Sequence, residues 1–137
     1  MTKKLDELEK QKRMQNFLFN NFKLLLFISV TDFDDYSENE TIYFAEHIEE
    51  NIDLIGIETI KSYFKEFEFD NEIQIHIHNL NEQFEKIFSS SWNLKMKSSN
   101  NEWNDIKATA FIILNKLHIE YIEPLKFSDE NFEFDWF

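Results

Sequence analysis

The sequence predicts an all-α fold, a compact bundle of about five helices with an extended C-terminal tail. Three observations carry that prediction. The chain has one glycine, Gly56, and one proline, Pro124. Tight two-residue hairpins depend on glycine, so a large β fold is disfavoured and helices joined by Asn, Asp and Ser turns fit best. Apolar residues recur three and four positions apart along most of the chain, the spacing of one helix face. Two Ser-x-x-Glu patterns, Ser37 with Glu40 and Ser99 with Glu102, match the capping box that opens a helix. At 137 residues, 42% of them hydrophobic, the chain suits a single domain, residues 1–137, with a proper core. Sixteen Phe, four Tyr and three Trp make that core aromatic-heavy.

Helix 1 is predicted from about Lys3 to about Ser29. Its first half is charged and its second, FLFNNFKLLLFISV (17–30), is apolar, so only the second half enters the core. Asn20, Asn21 and Lys23 interrupt that run, and TDFDD rather than a small-residue cleavage site follows it. It is also too short to span a bilayer. A buried central helix is expected instead of a targeting segment, and the cytoplasm is the expected location. The absence of cysteine agrees with that compartment and removes disulfides, thiolate metal sites and Cys nucleophiles.

Helix 2 is predicted from its Ser37–Glu40 box to about Leu54, before Gly56, with Ala45, Ile48, Ile52 and Ile55 on one face. A third helix follows, with Ile57, Ile60, Phe64 and Phe67 at helical spacing. The segment FEFDNEIQIHIH (67–78) is ambiguous. Phe67, Phe69, Ile73, Ile75 and Ile77 alternate as in a strand, which leaves open an α+β fold with a hairpin near 64–78. A two-residue Asp70-Asn71 turn would put the aromatics and isoleucines on opposite faces, and a three-residue turn would lack its glycine. The helical reading gives a clean stripe of Ile73, Ile77, Leu80, Phe84 and Ile87, and it is preferred. The last helix is expected to start near Ser99, with Trp103, Ile106, Ala110, Ile113, Leu114 and Leu117 inward. Pro124 ends helical structure, so 125–137 is expected to be extended or irregular. In the terminal DENFEFDWF, Phe132, Phe134 and Trp136 alternate with Glu133 and Asp135. That suits a strap packed on the bundle or, alternatively, a recognition peptide.

Charge is the functional signal. The chain carries a net −13, and residues 29–60 account for most of it, with ten acids and no Lys or Arg. On a helix of about 100° per residue, Glu46, Glu49, Glu50 and Asp53 share one side with Tyr43, opposite the apolar face. DFDDY (32–36) adds Asp32, Asp34, Asp35 and Tyr36 just before it. A helix selected only for solubility mixes signs, because Glu–Lys pairs four apart help and like charges repel. An unmixed acidic face fits a basic partner, where opposite potentials speed association and fix register. These nine residues are the expected partner-binding set.

No motif names a reaction, and an enzyme is not expected. One glycine argues against a phosphate loop or dinucleotide turn. DFDD after FISVT is similar to the first Asp motif of haloacid-dehalogenase-like phosphohydrolases, but the glycine-containing α/β domain of those enzymes is missing. HIH (76–78) would ligate a metal only on a strand, where both rings share a face. The four histidines read as ordinary, partly exposed residues. Ser89, Ser90 and Ser91 lack the surround of a nucleophile elbow. Neither metal nor cofactor is expected. Direct nucleic-acid binding needs cations on the contact face, and only helix 1 is basic. Its acids at 6, 7 and 9 interleave the lysines, which also argues against membrane binding.

A small, acidic, cysteine-free helical chain with an acidic-aromatic helix resembles bacterial immunity proteins, both the colicin type and those of polymorphic toxins. The resemblance lies in composition and charge layout over the whole chain. It implies a helical protein that neutralises a cognate toxin, often a nuclease, by burying a carboxylate face on the toxin's basic surface. The alternative is a phage-type nucleic-acid mimic that blocks a host DNA-binding protein, which would spread its carboxylates along an elongated surface.

Overall fold

The computed structural model describes residues 2–56 and 70–131. Its elements are α1 (Thr2–Ser29), α2 (Glu38–Asn51) running into a 3-10 turn (Ile52–Ile55), α3 (Asn71–Ile87), a second 3-10 turn (Trp92–Lys95), α4 (Asn101–Lys116) and α5 (Pro124–Asn131). No strand occurs among the described residues, and the molecule is an all-α bundle. The helix expected over 57–67 and the aromatic end of the tail lie outside the described residues.

The C-terminal half of α1 is the central post. From Phe22 to Ser29 every residue but Lys23 is buried, while residues 6–17 are all exposed. An apolar run without a polar face belongs in the middle of a bundle. α2, α4 and α5 pack around it, and α3 pairs along α4. One aromatic-rich core results. Phe33 and Phe84 both meet the Trp103 ring edge-on, and Phe27 meets Phe127 at 5.1 Å between centroids.

Caps explain the boundaries. Ser37 and Glu40 form the predicted capping box, with both reciprocal bonds made. The Asp70 carboxylate accepts the N–H of Ile73 at 2.8 Å, which commits 71–78 to helix and excludes the hairpin there. Ile73, Ile77, Leu80, Phe84 and Ile87 are buried, whereas Ile75, which a strand would place beside Ile73 and Ile77, is 59% exposed.

Two expectations are corrected. α4 is capped by Asn100, whose side chain accepts the Trp103 N–H, not by Ser99. Glu102 instead reaches Lys95 at 3.5 Å. The segment after Pro124 is not extended: Pro124 opens α5. A first helical residue needs no N–H, and the Glu123 carboxylate accepts the N–H groups of Leu125 and Lys126. The buried Phe127 repays the turn by packing on Phe27.

Candidate functional site

The loop 30–36 joins α1 to α2 and carries the first acids. It is pinned from several sides. Phe33 is buried, and its N–H donates to the Met96 carbonyl at 3.0 Å. The Trp103 indole N–H donates to the Thr31 carbonyl at 2.9 Å, and the Thr31 and Tyr121 hydroxyls lie 2.7 Å apart. Asp32 pairs with Lys107 of α4. Asp34 accepts the Ser98 N–H at 3.0 Å and the Ser98 hydroxyl at 3.1 Å, and these bonds hold its carboxyl below the usual range. Tyr36 packs its ring on Phe33 and Phe44. Three of the loop's four predicted site residues are thus engaged within the molecule. Asp35 is exposed and makes no ion pair among the described residues.

α2 presents the rest. Ala45, Ile48 and Ile55 are buried as the periodicity predicted, Ile52 is partly buried against the same core, and Phe44, which the pattern did not name, is buried with them. Glu46, Glu49, Glu50 and Asp53 are exposed on the other side. Glu49 differs from its neighbours. It accepts the indole N–H of Trp92, a residue only 2% exposed, and so ties α2 to the second 3-10 turn. Glu46, Glu50 and Asp53 make no ion pair or side-chain hydrogen bond among the described residues. Tyr43 lies half-buried beside them. Burial, and then the Glu50 carboxylate, push its phenol up to about 12, so it stays a protonated hydroxyl able to donate.

The inward side of α2 holds a histidine that periodicity did not single out. His47 is buried, not partly exposed. Its Nε2 lies 3.3 Å from the Asn21 carbonyl, and its Nδ1 lies 3.4 Å from the Asn51 amide nitrogen. That amide also donates to the carbonyl of His47 at 2.8 Å. The set fits one neutral tautomer, with Nε2 donating and Nδ1 accepting. Burial pushes the imidazole down to about 4. His78 is exposed and lies 3.2 Å from Glu82. Among the described residues no three potential ligands gather to hold a metal ion, and no helix is long and apolar enough to cross a membrane.

The predicted acidic set therefore divides in two. Asp32, Asp34 and Glu49 are fastened by Lys107, Ser98 and Trp92, partners 75, 64 and 43 positions away. Glu46, Glu50 and Asp53 form the uncompensated face, with Tyr43 at its edge. Sequence reasoning missed the fastening residues because no local pattern announces a partner so distant in the chain. Compared with known proteins, the chain matches no family model, no curated protein and no solved structure.

Proposed function

We propose that this chain is an immunity-type protein that binds and neutralises a basic, nuclease-like bacterial toxin through the outer face of α2. The observation that supports this reading is the set of Glu46, Glu50 and Asp53, exposed together beside Tyr43 without a cation among the described residues. Self-repulsion there is a cost that a merely solvated helix would avoid by mixing signs. The tied carboxylates hold the loop and α2 in place, so the face is presented on a rigid support. Preorganised charge loses less entropy on docking than charge on a mobile loop.

The test compares the intact protein with Glu46→Lys/Glu50→Lys/Asp53→Lys. Both, tagged, are exposed to lysate of the native host at low and at high salt, and what they retain is identified and co-expressed with each. One basic protein held by the intact chain even in salt, lost from the variant, and rendered harmless in co-expression only by the intact chain is the expected result. Equal retention by both chains would reduce the face to a solvated surface. Several DNA-binding proteins that wash off in salt would favour the nucleic-acid mimic instead.

A further inference from the structure

The N-terminal half of α1 has no fold partner among the described residues. Residues 6–17 are all exposed, and Leu8, Met14 and Phe17 are 55%, 55% and 56% exposed. These residues form an arm roughly 18 Å long at 1.5 Å per residue. It extends a helix whose other half is buried, and Leu8, Met14 and Phe17 leave apolar surface on it for something to cover. The sequence of the arm indicates what. In DELEKQKR (6–13) the charges invert sign on reflection about the midpoint between Glu9 and Lys10. Asp6 maps onto Arg13, Glu7 onto Lys12 and Glu9 onto Lys10. Every charged position in the block meets its opposite, and none meets its own sign.

That reflection is the pairing rule of two identical helices that cross antiparallel about a two-fold axis, where residue i of one faces a fixed sum minus i on the other. A parallel pair would set each charge against its own sign. Asp6 and Arg13 are seven residues apart, two helical turns, so they lie on one side of the arm. Each can meet its counterpart on the second copy, giving two equivalent bridges on one flank. None of the six charges makes an ion pair within the copy among the described residues, although Asp6–Lys10 and Glu9–Arg13 stand at the spacing for one.

We propose that the arm of α1 is a homodimerisation element, joining two copies antiparallel with the crossing centred between Glu9 and Lys10. The geometry also answers the objection that two chains of net −13 repel. Arms that overlap antiparallel carry their bodies to opposite ends. The buried parts of α1, from Asn21 on, then begin roughly 35 Å apart by the same rise per residue, well beyond the screening length of about 8 Å at physiological salt. The α2 faces take no part in the pairing and stay available.

The test is sedimentation velocity on the full chain and on two charge-inverted forms. Lys10→Glu/Lys12→Glu/Arg13→Glu makes the block wholly acidic, and Asp6→Lys/Glu7→Lys/Glu9→Lys makes it wholly basic. The unaltered chain is expected to dimerise in the micromolar range at low salt. Each inverted form alone should dimerise at least about tenfold more weakly, a loss of about 1.4 kcal/mol. An equimolar mixture of the two should recover the dimer, now as a heterodimer. That recovery also answers the concern that inversion has merely unfolded the arm. An unaltered chain that stays monomeric at about 200 µM overturns the proposal, as does an inverted form that self-associates as tightly as the original or a mixture that stays monomeric. None of these outcomes touches the toxin-binding reading, which the α2 substitutions test separately.

Discussion

Acidification should destabilise this protein, and His47 should carry a separable share of the loss. His47 is buried with its neutral tautomer held between the Asn21 carbonyl and the Asn51 amide. Protonating Nδ1 would turn an acceptor into a donor facing the Asn51 amide. In the unfolded chain the imidazole takes a proton near pH 6.5; in the folded chain burial holds its pKa down to about 4. Between those values the unfolded state binds the extra proton, so stability falls as pH falls. The contribution is complete above pH 6.5, drains away towards pH 4, and is constant below. The gap corresponds to about 3 kcal/mol, of which about 2 kcal/mol is lost between pH 7 and pH 4.5. That is a large share of the 5–15 kcal/mol typical of a domain. Urea titrations followed by the fluorescence of Trp92 and Trp103 measure it, comparing the intact chain with His47→Leu, which fills the site without titrating. Whatever else titrates is common to both chains, so the quantity of interest is the difference between their slopes. Parallel pH profiles, agreeing within about 0.5 kcal/mol across that range, would refute the assignment.

Two further substitutions test the fastening described above. Glu49→Ala removes the acceptor for the buried Trp92 indole N–H, and a loss of about 1–2 kcal/mol is expected, while Glu49→Gln keeps a carbonyl acceptor and should lose less than half of that. Urea midpoints with unchanged slopes would register both. Ser37→Ala removes the hydroxyl that accepts the Glu40 N–H, one of the two bonds of the capping box on α2, and should cost about 1 kcal/mol, read in the same way.

Much of the fold was legible because burial follows periodicity. The inner faces of α2, α3 and α4 came directly from three- and four-residue spacing, and the Ser37 box named the start of α2. The ambiguity at 67–78 arose because Ile73 and Ile77 satisfy both periods, while Ile75 fits only the strand. Asp70 resolved it, since its carboxylate reaches the Ile73 N–H only if a helix begins there. α5 was missed because Pro124 was read as a stop, although the same ring suits a first helical residue and the capping carboxylate of Glu123 is its immediate neighbour. The acidic character of α2 was equally legible, since exposed positions are the complement of buried ones. What spacing could not reveal is which carboxylates are spoken for. Asp32, Asp34 and Glu49 look like Asp35, Glu46 and Glu50 in the sequence, and differ only through Lys107, Ser98 and Trp92, which the fold brings in from far along the chain.

That division makes stability and binding pull in opposite directions on α2. Glu46 and Glu50 are four residues apart and repel. Glu50 also stands in the last turn of the helix, where the negative end of the helix dipole makes a negative charge unfavourable and a positive one welcome. Glu50→Lys would replace a repulsive pair by an attractive one, with Glu on the N-terminal side as the geometry prefers. It would also match the end of the helix. Together these changes should stabilise the isolated protein by a few tenths to about 1 kcal/mol in low salt, and the gain should shrink as salt screens it. The Tyr43 phenol supplies a local check. Burial is the larger cause of its raised pKa and Glu50 the smaller, so an ultraviolet titration of the variant should show it lowered but still above the ordinary tyrosine value. A stabilising substitution that weakens capture of the partner would mean that Glu50 is retained for binding at the expense of folding, as functional surfaces commonly are. A destabilising one would give Glu50 a structural role like that of Glu49 and move it out of the binding face.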